Sequence, residues 1–305
     1  MWSAATDASY PESGPTVSGG KVFLMTGDAM YAFDATTGAR LWKTPVVSAA
    51  AAGAPLVVGS KVFVSGYDGA AYVQAFNVAD GSVAWPALFR PRLASSNGND
   101  PTIFGDLASD GTRVFEVGDC EISAIDPATG ARLWDRVLSV DATDASCNQV
   151  QTNSVPLTAN GIVYAGSSSG LFALNAATGA TVWTRYVWTQ GGMALSNGVL
   201  LADMYFSADP FQVYDQVEAM DATTGDPLWA TGGNTIALGL GGITVSGDLV
   251  LLSTNDQHVT GLSLQDGIAV WQSDLLTQYA TQTAISAGKL YFLDEQNALH
   301  AYGLP

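Results

Sequence analysis

The sequence predicts an all-β fold, a seven-bladed β-propeller of four-stranded antiparallel blades, and three observations point there. Tryptophans recur at Trp2, Trp42, Trp85, Trp134, Trp183, Trp229 and Trp271, at intervals of 40 to 49 residues. Six of them follow a glycine by four residues, at Gly38, Gly81, Gly130, Gly179, Gly225 and Gly267. Between them lie short β-branched and aromatic runs separated by turn residues, and no stretch combines helical periodicity with caps.

The full unit reads Ala32-x-Asp34-x-x-Thr37-Gly38-x-x-x-Trp42. It returns around Asp126 and Trp134, Asn175 and Trp183, and Asp221 and Trp229, and in drifted form around Asn77 and Trp85 and Ser263 and Trp271. Runs such as Lys21–Met25 and Met30–Phe33 read as strands joined by a turn. Asp/Asn-x-x-Thr-Gly reads as the next hairpin turn, the acid capping backbone N–H groups and the glycine taking a positive φ. The strand bearing the tryptophan follows. With one more short run ahead of each unit, such as Pro55–Val58, this makes four strands per ~45 residues, the period of a propeller blade. Asp34, Asp126 and Asp221 are therefore expected to be structural.

The last segment, Gly288–Phe292 with Ala298–Tyr302, ends before a tryptophan strand of its own. Trp2 lies 21 residues before Phe23, as Trp42 lies 21 before Phe63 and Trp271 lies 21 before Phe292. The N-terminal strand at Trp2 is thus expected to complete the last blade and close the ring, removing an open sheet edge. Residues 1–305 are expected to form one propeller domain, and a ring that closes its own edges is expected to be a monomer.

This pattern resembles the PQQ-type (quinoprotein-like) β-propeller repeat family over nearly the whole chain. The resemblance implies that each tryptophan ring docks on the glycine turn of the neighbouring blade. It does not by itself imply an activity, because function resides in sites grafted onto folds. Quinone-dependent dehydrogenases with this repeat usually have eight blades, nearly twice this length and an adjacent cysteine pair. Here Cys120 and Cys147 are 27 residues apart, so no PQQ is expected.

Composition narrows the partners. The 305 residues carry 28 acidic and 11 basic side chains, a net charge of −17, which disfavours nucleic acid and anionic lipid. A hydrophobic share of 48% excludes intrinsic disorder. No apolar run approaches the ~20 residues of a membrane helix. Met1-Trp2-Ser3 begins without a basic n-region or an apolar h-region, so no signal peptide is expected in this stretch. Two histidines and two cysteines leave little material for a zinc site, and no metal site is expected.

Chemistry is expected on the face bearing the turns between the second and third strands and the loops between blades. Two insertions break the repeat there: Phe89–Asp100, and Asp203–Asp215 with Tyr205, Phe206, Phe211 and Tyr214. These aromatics are candidates for a ligand platform, or for a plug or a lengthened hairpin. Trp188, outside the blade register, is placed in an inter-blade loop as a second platform. Arg90 and Arg92 are candidate anion clamps, unless neighbouring acids such as Asp100 and Asp106 engage them. His258, in a turn beside Asp256, is a candidate general base or a solvated turn residue, and His300 is expected to pack in the final strand. Off-register acids such as Asp100, Asp203, Asp215 and Asp256 are weak candidates for Ca²⁺, without any Ca²⁺-loop spacing. Cys120 and Cys147 fall on one face, so a disulfide is geometrically reasonable and points to an oxidising compartment.

The leading expectation is a non-catalytic binding or scaffold module, extracytoplasmic or secreted, presenting these loops to a protein or glycan. The alternative is a small lyase or hydrolase at the channel mouth. It would use Arg90 or Arg92 to hold a substrate anion, Asp100, Asp203 or Asp215 as acid or base, and Tyr205, Tyr214 or Tyr279 nearby. A sensor domain of a larger chain and a cytoplasmic location stay open as further alternatives.

Overall fold

The computed structural model describes residues 2–7, 14–47, 53–92, 107–118, 120–139, 155–209, 212–232, 242–253, 257–274, 280–286, 288–294 and 299–303. Among the described residues all 26 elements are strands, and they form seven antiparallel sheets. The first is β1 (Thr16–Ser18), β2 (Lys21–Met25), β3 (Ala29–Asp34) and β4 (Arg40–Pro45). The second is β5 (Leu56–Val58), β6 (Lys61–Tyr67) and β7 (Ala71–Asn77). The third is β8 (Ala108–Ser109), β9 (Val114–Val117), β10 (Glu121–Ile125) and β11 (Arg132–Val137). The fourth is β12 (Leu157–Ala159), β13 (Ile162–Gly166), β14 (Leu171–Asn175) and β15 (Thr181–Arg185). The fifth is β16 (Trp188–Ser196), β17 (Val199–Asp209), β18 (Gln212–Asp221) and β19 (Pro227–Ala230). The sixth is β20 (Ile243–Ser246), β21 (Leu249–Ser253), β22 (Val259–Ser263) and β23 (Ala269–Gln272). The seventh is β24 (Ala280–Ser286), β25 (Lys289–Asp294) and β26 (Leu299–Gly303). Strands pair in sequence order within every sheet. The chain divides into two compact units, residues 1–165 with 173–181, and residues 166–172 with 182–305.

The repeat turn behaves as its residue types dictate. Asp34 Oδ1 accepts the N–H groups of Thr36 and Thr37 and the Thr37 hydroxyl, at 3.0, 2.7 and 2.9 Å. Asp126, Asn175 and Asp221 make the same kind of turn. The Thr37 N–H and hydroxyl hold the Asp34 carboxyl below the usual carboxylate range. These acids are structural, as expected.

Each turn then receives a tryptophan from another repeat. Six indole Nε1 groups donate to the carbonyl one residue after the turn acid or its equivalent. The pairs are Trp2 to Ala35, Trp42 to Val78, Trp85 to Pro127, Trp134 to Ala176, Trp183 to Ala222 and Trp229 to Leu264, at 2.8–3.2 Å. The ring lies flat on the turn glycine, where a Cβ would approach within 2.5–2.8 Å of it. Two residues after the tryptophan a second anchor recurs. Thr44 donates to the Gly81 carbonyl and Arg185 to the Gly225 carbonyl, at 2.7 and 3.3 Å. Apolar residues fill the space between successive sheets. Phe23, Met25, Met30 and Trp42 pack on Val62, Val64 and Phe76; Leu201, Val217 and Ala219 pack on Val250, Leu252 and Leu262.

Two expectations need correction. The second sheet has three strands, its fourth reduced to the bridges Phe76–Val83 and Val73–Phe89. Pro86 follows Trp85 directly, and a proline in that strand removes a ladder donor. At the N-terminus, Trp2 docks on Gly38 as its spacing predicts, yet residues 2–7 form no strand and the seventh sheet has three strands among the described residues.

The docking contact can be separated from backbone strain. Gly225 and Gly161 share a φ of +76°, but a Cβ at Gly225 would meet the Trp183 ring at 2.8 Å whereas one at Gly161 meets nothing within 4 Å. Gly161→Ala is expected to cost about 1–2 kcal/mol for the left-handed backbone alone. Gly225→Ala is expected to cost about 2 kcal/mol more for the clash. Urea denaturation of the two variants checks this, and equal losses would mean that the ring does not press on the turn.

Candidate functional site

Two polar regions stand out among the described residues, one in each unit. In the first unit, the segment after Trp85 runs along the third sheet. Arg90 forms a two-pronged pair with Asp68, Nη1 to Oδ1 at 2.9 Å and Nη2 to Oδ2 at 2.7 Å, and also donates to the Ala70 carbonyl. The Arg90 guanidinium holds the Asp68 carboxyl below its ordinary range. Arg92 Nη1 reaches Asp135 Oδ2 at 3.3 Å, and its backbone N–H donates to Glu121 Oε1 at 2.6 Å. Both arginines are therefore engaged by acids, but by Asp68 and Asp135 rather than by Asp100 and Asp106, which lie outside the described residues. The reason is positional: Asp68 sits in the β6–β7 turn and Asp135 on β11, where the segment passes.

Beneath that segment is a cluster that the repeat pattern gave no reason to seek. Glu116 on β9 and Glu121 on β10 are buried, and Ser123 lies between them on the same face. Arg132 spans the cluster: Nη1 donates to Ser123 Oγ at 2.8 Å and lies 3.9 Å from Glu121 Oε1. Its Nη2 donates to the Arg90 carbonyl at 2.6 Å, and its guanidinium lies 4.6 Å from the Phe89 ring centre. Acids inside apolar strands, as in Val114-Phe115-Glu116-Val117, were the legible signal. The arrangement clamps the Phe89–Arg92 segment to the third sheet.

In the second unit, the expected turn from Phe206 to Tyr214 is mostly strand. β17 and β18 pair as far as Phe206 with Tyr214, Ser207 with Val213 and Asp209 with Gln212. These strands have 11 and 10 residues, against 5 and 6 for β2 and β3. Trp188 is not in a loop: it opens β16, paired with Tyr205, ahead of a register shift between Thr189 and Met193. Asp203 is buried on β17. Backbone pairing thus brings Trp188, Asp203, Tyr205, Phe206, Tyr214 and Asp215 onto one extended hairpin. Phe211, Tyr279 and Asp256 lie outside the described residues.

The remaining candidates are accounted for locally. His258 is half-buried, with Nδ1 2.8 Å from the Ser273 carbonyl. His300 stacks on Phe292 at 4.9 Å. Cys120 is buried and disulfide-bonded, while Cys147 lies outside the described residues. No group of three or more His, Cys, Asp or Glu gathers for a metal among the described residues, and no helix is long and apolar enough to cross a membrane. A cleft of about 680 Å³ lies between the fifth and sixth sheets, lined by Asn197, Val199, Asp248, Leu264 and Val270. It is at the opposite end of β17 from the hairpin extension.

The ion cluster has a measurable consequence. Glu121 is buried and Arg132 nearly so, so removing only the cation takes away countercharge from a buried carboxylate. Arg132→Met is expected to cost about 3 kcal/mol in chemical denaturation. Adding Glu121→Gln is expected to recover part of that loss. A double variant less stable than the single would overturn the pairing.

Comparison with known proteins adds the family. No curated protein sequence matches the chain. The crystal structure of BamB from Moraxella catarrhalis superposes with a TM-score of 0.71 at 20% identity, over 96% of this chain and 85% of that one. The quinohemoprotein alcohol dehydrogenase from Comamonas testosteroni gives 0.67 at 13% identity, over 92% of this chain and 62% of that one, so this chain spans less than two thirds of that enzyme. The computationally designed Ika8 protein gives 0.63 at 11% identity, over 99% of each. These likenesses describe the fold. The family model described as outer membrane protein assembly factor BamB matches residues 1–230 and 171–303. With the tryptophan–glycine units running through both matched stretches, the chain belongs to the BamB-type family of PQQ-like β-propeller repeats.

Proposed function

We propose that the protein is a non-catalytic scaffold that binds a protein partner through the β17–β18 hairpin. The observation that carries this reading is the hairpin itself. It is the one long departure from the repeat among the described strands, and its sequence carries four aromatics, Tyr205, Phe206, Phe211 and Tyr214, that the repeat unit lacks. Insertions in repeat folds map to loops on the binding face, and aromatic residues are enriched at protein interfaces. The family's description as an outer membrane protein assembly factor supports a protein over a glycan as the partner. The same description, with the disulfide at Cys120, supports an extracytoplasmic location. A Cys120–Cys147 bond is the pairing that two cysteines allow within one chain.

The lyase or hydrolase alternative has less support. Its anion clamp would need an open guanidinium, and Arg90 is closed by Asp68 on both prongs. We propose further that the seven sheets act as one domain, with the segment at Trp2 completing the three-stranded seventh sheet. The spacing of Trp2, Trp42 and Trp271 supports that completion.

Trimming the hairpin tests the function. Replacing residues 206–214 by a two-residue Asn-Gly turn keeps the repeat at its ordinary length. The variant is expected to keep its folding midpoint and to lose the partner captured by the tagged wild-type protein from its native envelope. Undiminished capture would overturn the role of the hairpin.

A further inference from the structure

We propose that residues 2–7 form a releasable strap on the first sheet, held by side chains alone and opening without the sheet beneath it. This inference is independent of the scaffold reading. In the closure proposed above, the segment would supply a strap and not a fourth hydrogen-bonded strand.

Two side chains fasten the segment. The Trp2 indole N–H donates to the Ala35 carbonyl at 3.0 Å, and its ring lies on Gly38. Five residues on, Asp7 Oδ2 accepts from Arg40 Nη1 at 2.9 Å and from Lys43 Nζ at 3.3 Å. Lys43 also lies 3.7 Å from Asp28 Oδ2 and 5.3 Å from the centre of the Tyr31 ring, so Asp7 shares its charge with two other groups. Among the described residues, nothing donates to or accepts from the main chain of residues 2–7.

The other docked tryptophans are held more firmly. Trp42, Trp134, Trp183 and Trp229 each lie in a strand paired within its sheet, and Trp85 lies between the bridges of Val83 and Phe89. Thr44 and Arg185, two residues after their tryptophans, add a bond to the facing turn. The corresponding residue after Trp2 is Ala4, whose side chain has no donor. Trp2 is 39% exposed, against 8% for Trp42 and 3% for Trp85. Ser3, Ala4 and Ala5 are exposed as well.

These differences set the order of opening. A strand in a ladder is freed only with its neighbours, whereas a segment without main-chain bonds opens at low free energy. The Asp7 and Arg40 side chains are exposed, so water and salt screen their attraction. Ionic strength therefore loosens the second fastening and leaves the first. Opening uncovers the Gly38 turn, the Ala35 carbonyl and the Arg40 and Lys43 cations, while β1, β2, β3 and β4 stay paired.

The test is hydrogen exchange of indole and main-chain N–H groups in the full chain, followed by NMR, with the Trp2 signal assigned by Trp2→Phe. The Trp2 indole is expected to exchange at least about 100-fold faster than those of Trp42 and Trp183. The amides of residues 3–6 are expected to exchange without protection, while those of Phe23 and Ala32 stay protected. Going from low salt to about 1 M NaCl is expected to speed Trp2 exchange about threefold and to leave Trp42 unchanged. Asp7→Asn is expected to give a similar acceleration at low salt and to abolish the salt response. Exchange of Trp2 in step with Trp42 or with the amides of Phe23 and Ala32 would overturn the proposal. So would slow exchange at residues 3–6, which marks a bonded strand, or a Trp2 rate indifferent to both salt and Asp7→Asn.

Discussion

The contact on which the rest of this structure depends is an indole lying flat on a glycine. The glycine must lack a Cβ because the ring occupies that space within 2.5–2.8 Å. The Asp/Asn-x-x-Thr-Gly turn must be rigid, because the indole N–H donates to a carbonyl inside it. The tryptophan must come one repeat earlier, whether from an outer strand, as Trp42 does, or from a segment without strand pairing, as Trp2 and Trp85 do. Those three demands set the spacing of about 45 residues that runs through the chain. They also explain why so few charged residues suffice: successive sheets meet through apolar faces, and the edges are locked by repeated aromatic and backbone contacts rather than by ion pairs.

A frame this regular makes its departures informative. Pro86 dissolves one outer strand and frees the segment that carries Arg90 and Arg92 across the third sheet. That segment is then secured by Asp68, Glu121, Asp135 and Arg132. Arg90 is thus closed by Asp68, while Arg92 reaches Asp135 with its guanidinium largely exposed. On the fifth sheet the departure runs the other way. Strands lengthen instead of dissolving, and β17 and β18 stay paired down to Asp209 and Gln212. One irregularity is tied down by ion pairs, and the other extends its sheet as a paired hairpin.

The repeat was legible because it rests on short-range signals. Asp34-x-x-Thr37-Gly38 announces its own turn, and Trp42 its own partner, with no need to know the tertiary structure. What escaped the sequence depended on contacts between distant residues. Arg90 finds Asp68 across 22 positions, and Arg132 finds the Arg90 carbonyl across 42. Nothing local separates an arginine so engaged from one awaiting an anion. The hairpin was half legible. Its aromatics and length marked an insertion, but whether Tyr205 and Tyr214 lay in a loop or in register was decided by pairing. Trp188 misled for the same reason, since Gly191-Gly192 reads as a loop and forms the register shift of a strand. The last blade shows a third limit: Trp2 docks where spacing places it, while strand pairing does not follow from docking.

The central claim is that this scaffold holds its partner at the fifth-sheet hairpin rather than at the arginine-bearing segment. A scan with a photo-reactive amino acid, placed singly at Phe206, Tyr214, Gln216, Arg90, Arg92 and Gln257, tests it most directly in the native envelope. Cross-links to one protein at Phe206, Tyr214 and Gln216, and none at the other positions, are the expected result. Cross-links to that protein concentrated at Arg90 and Arg92, with none on the hairpin, would contradict it.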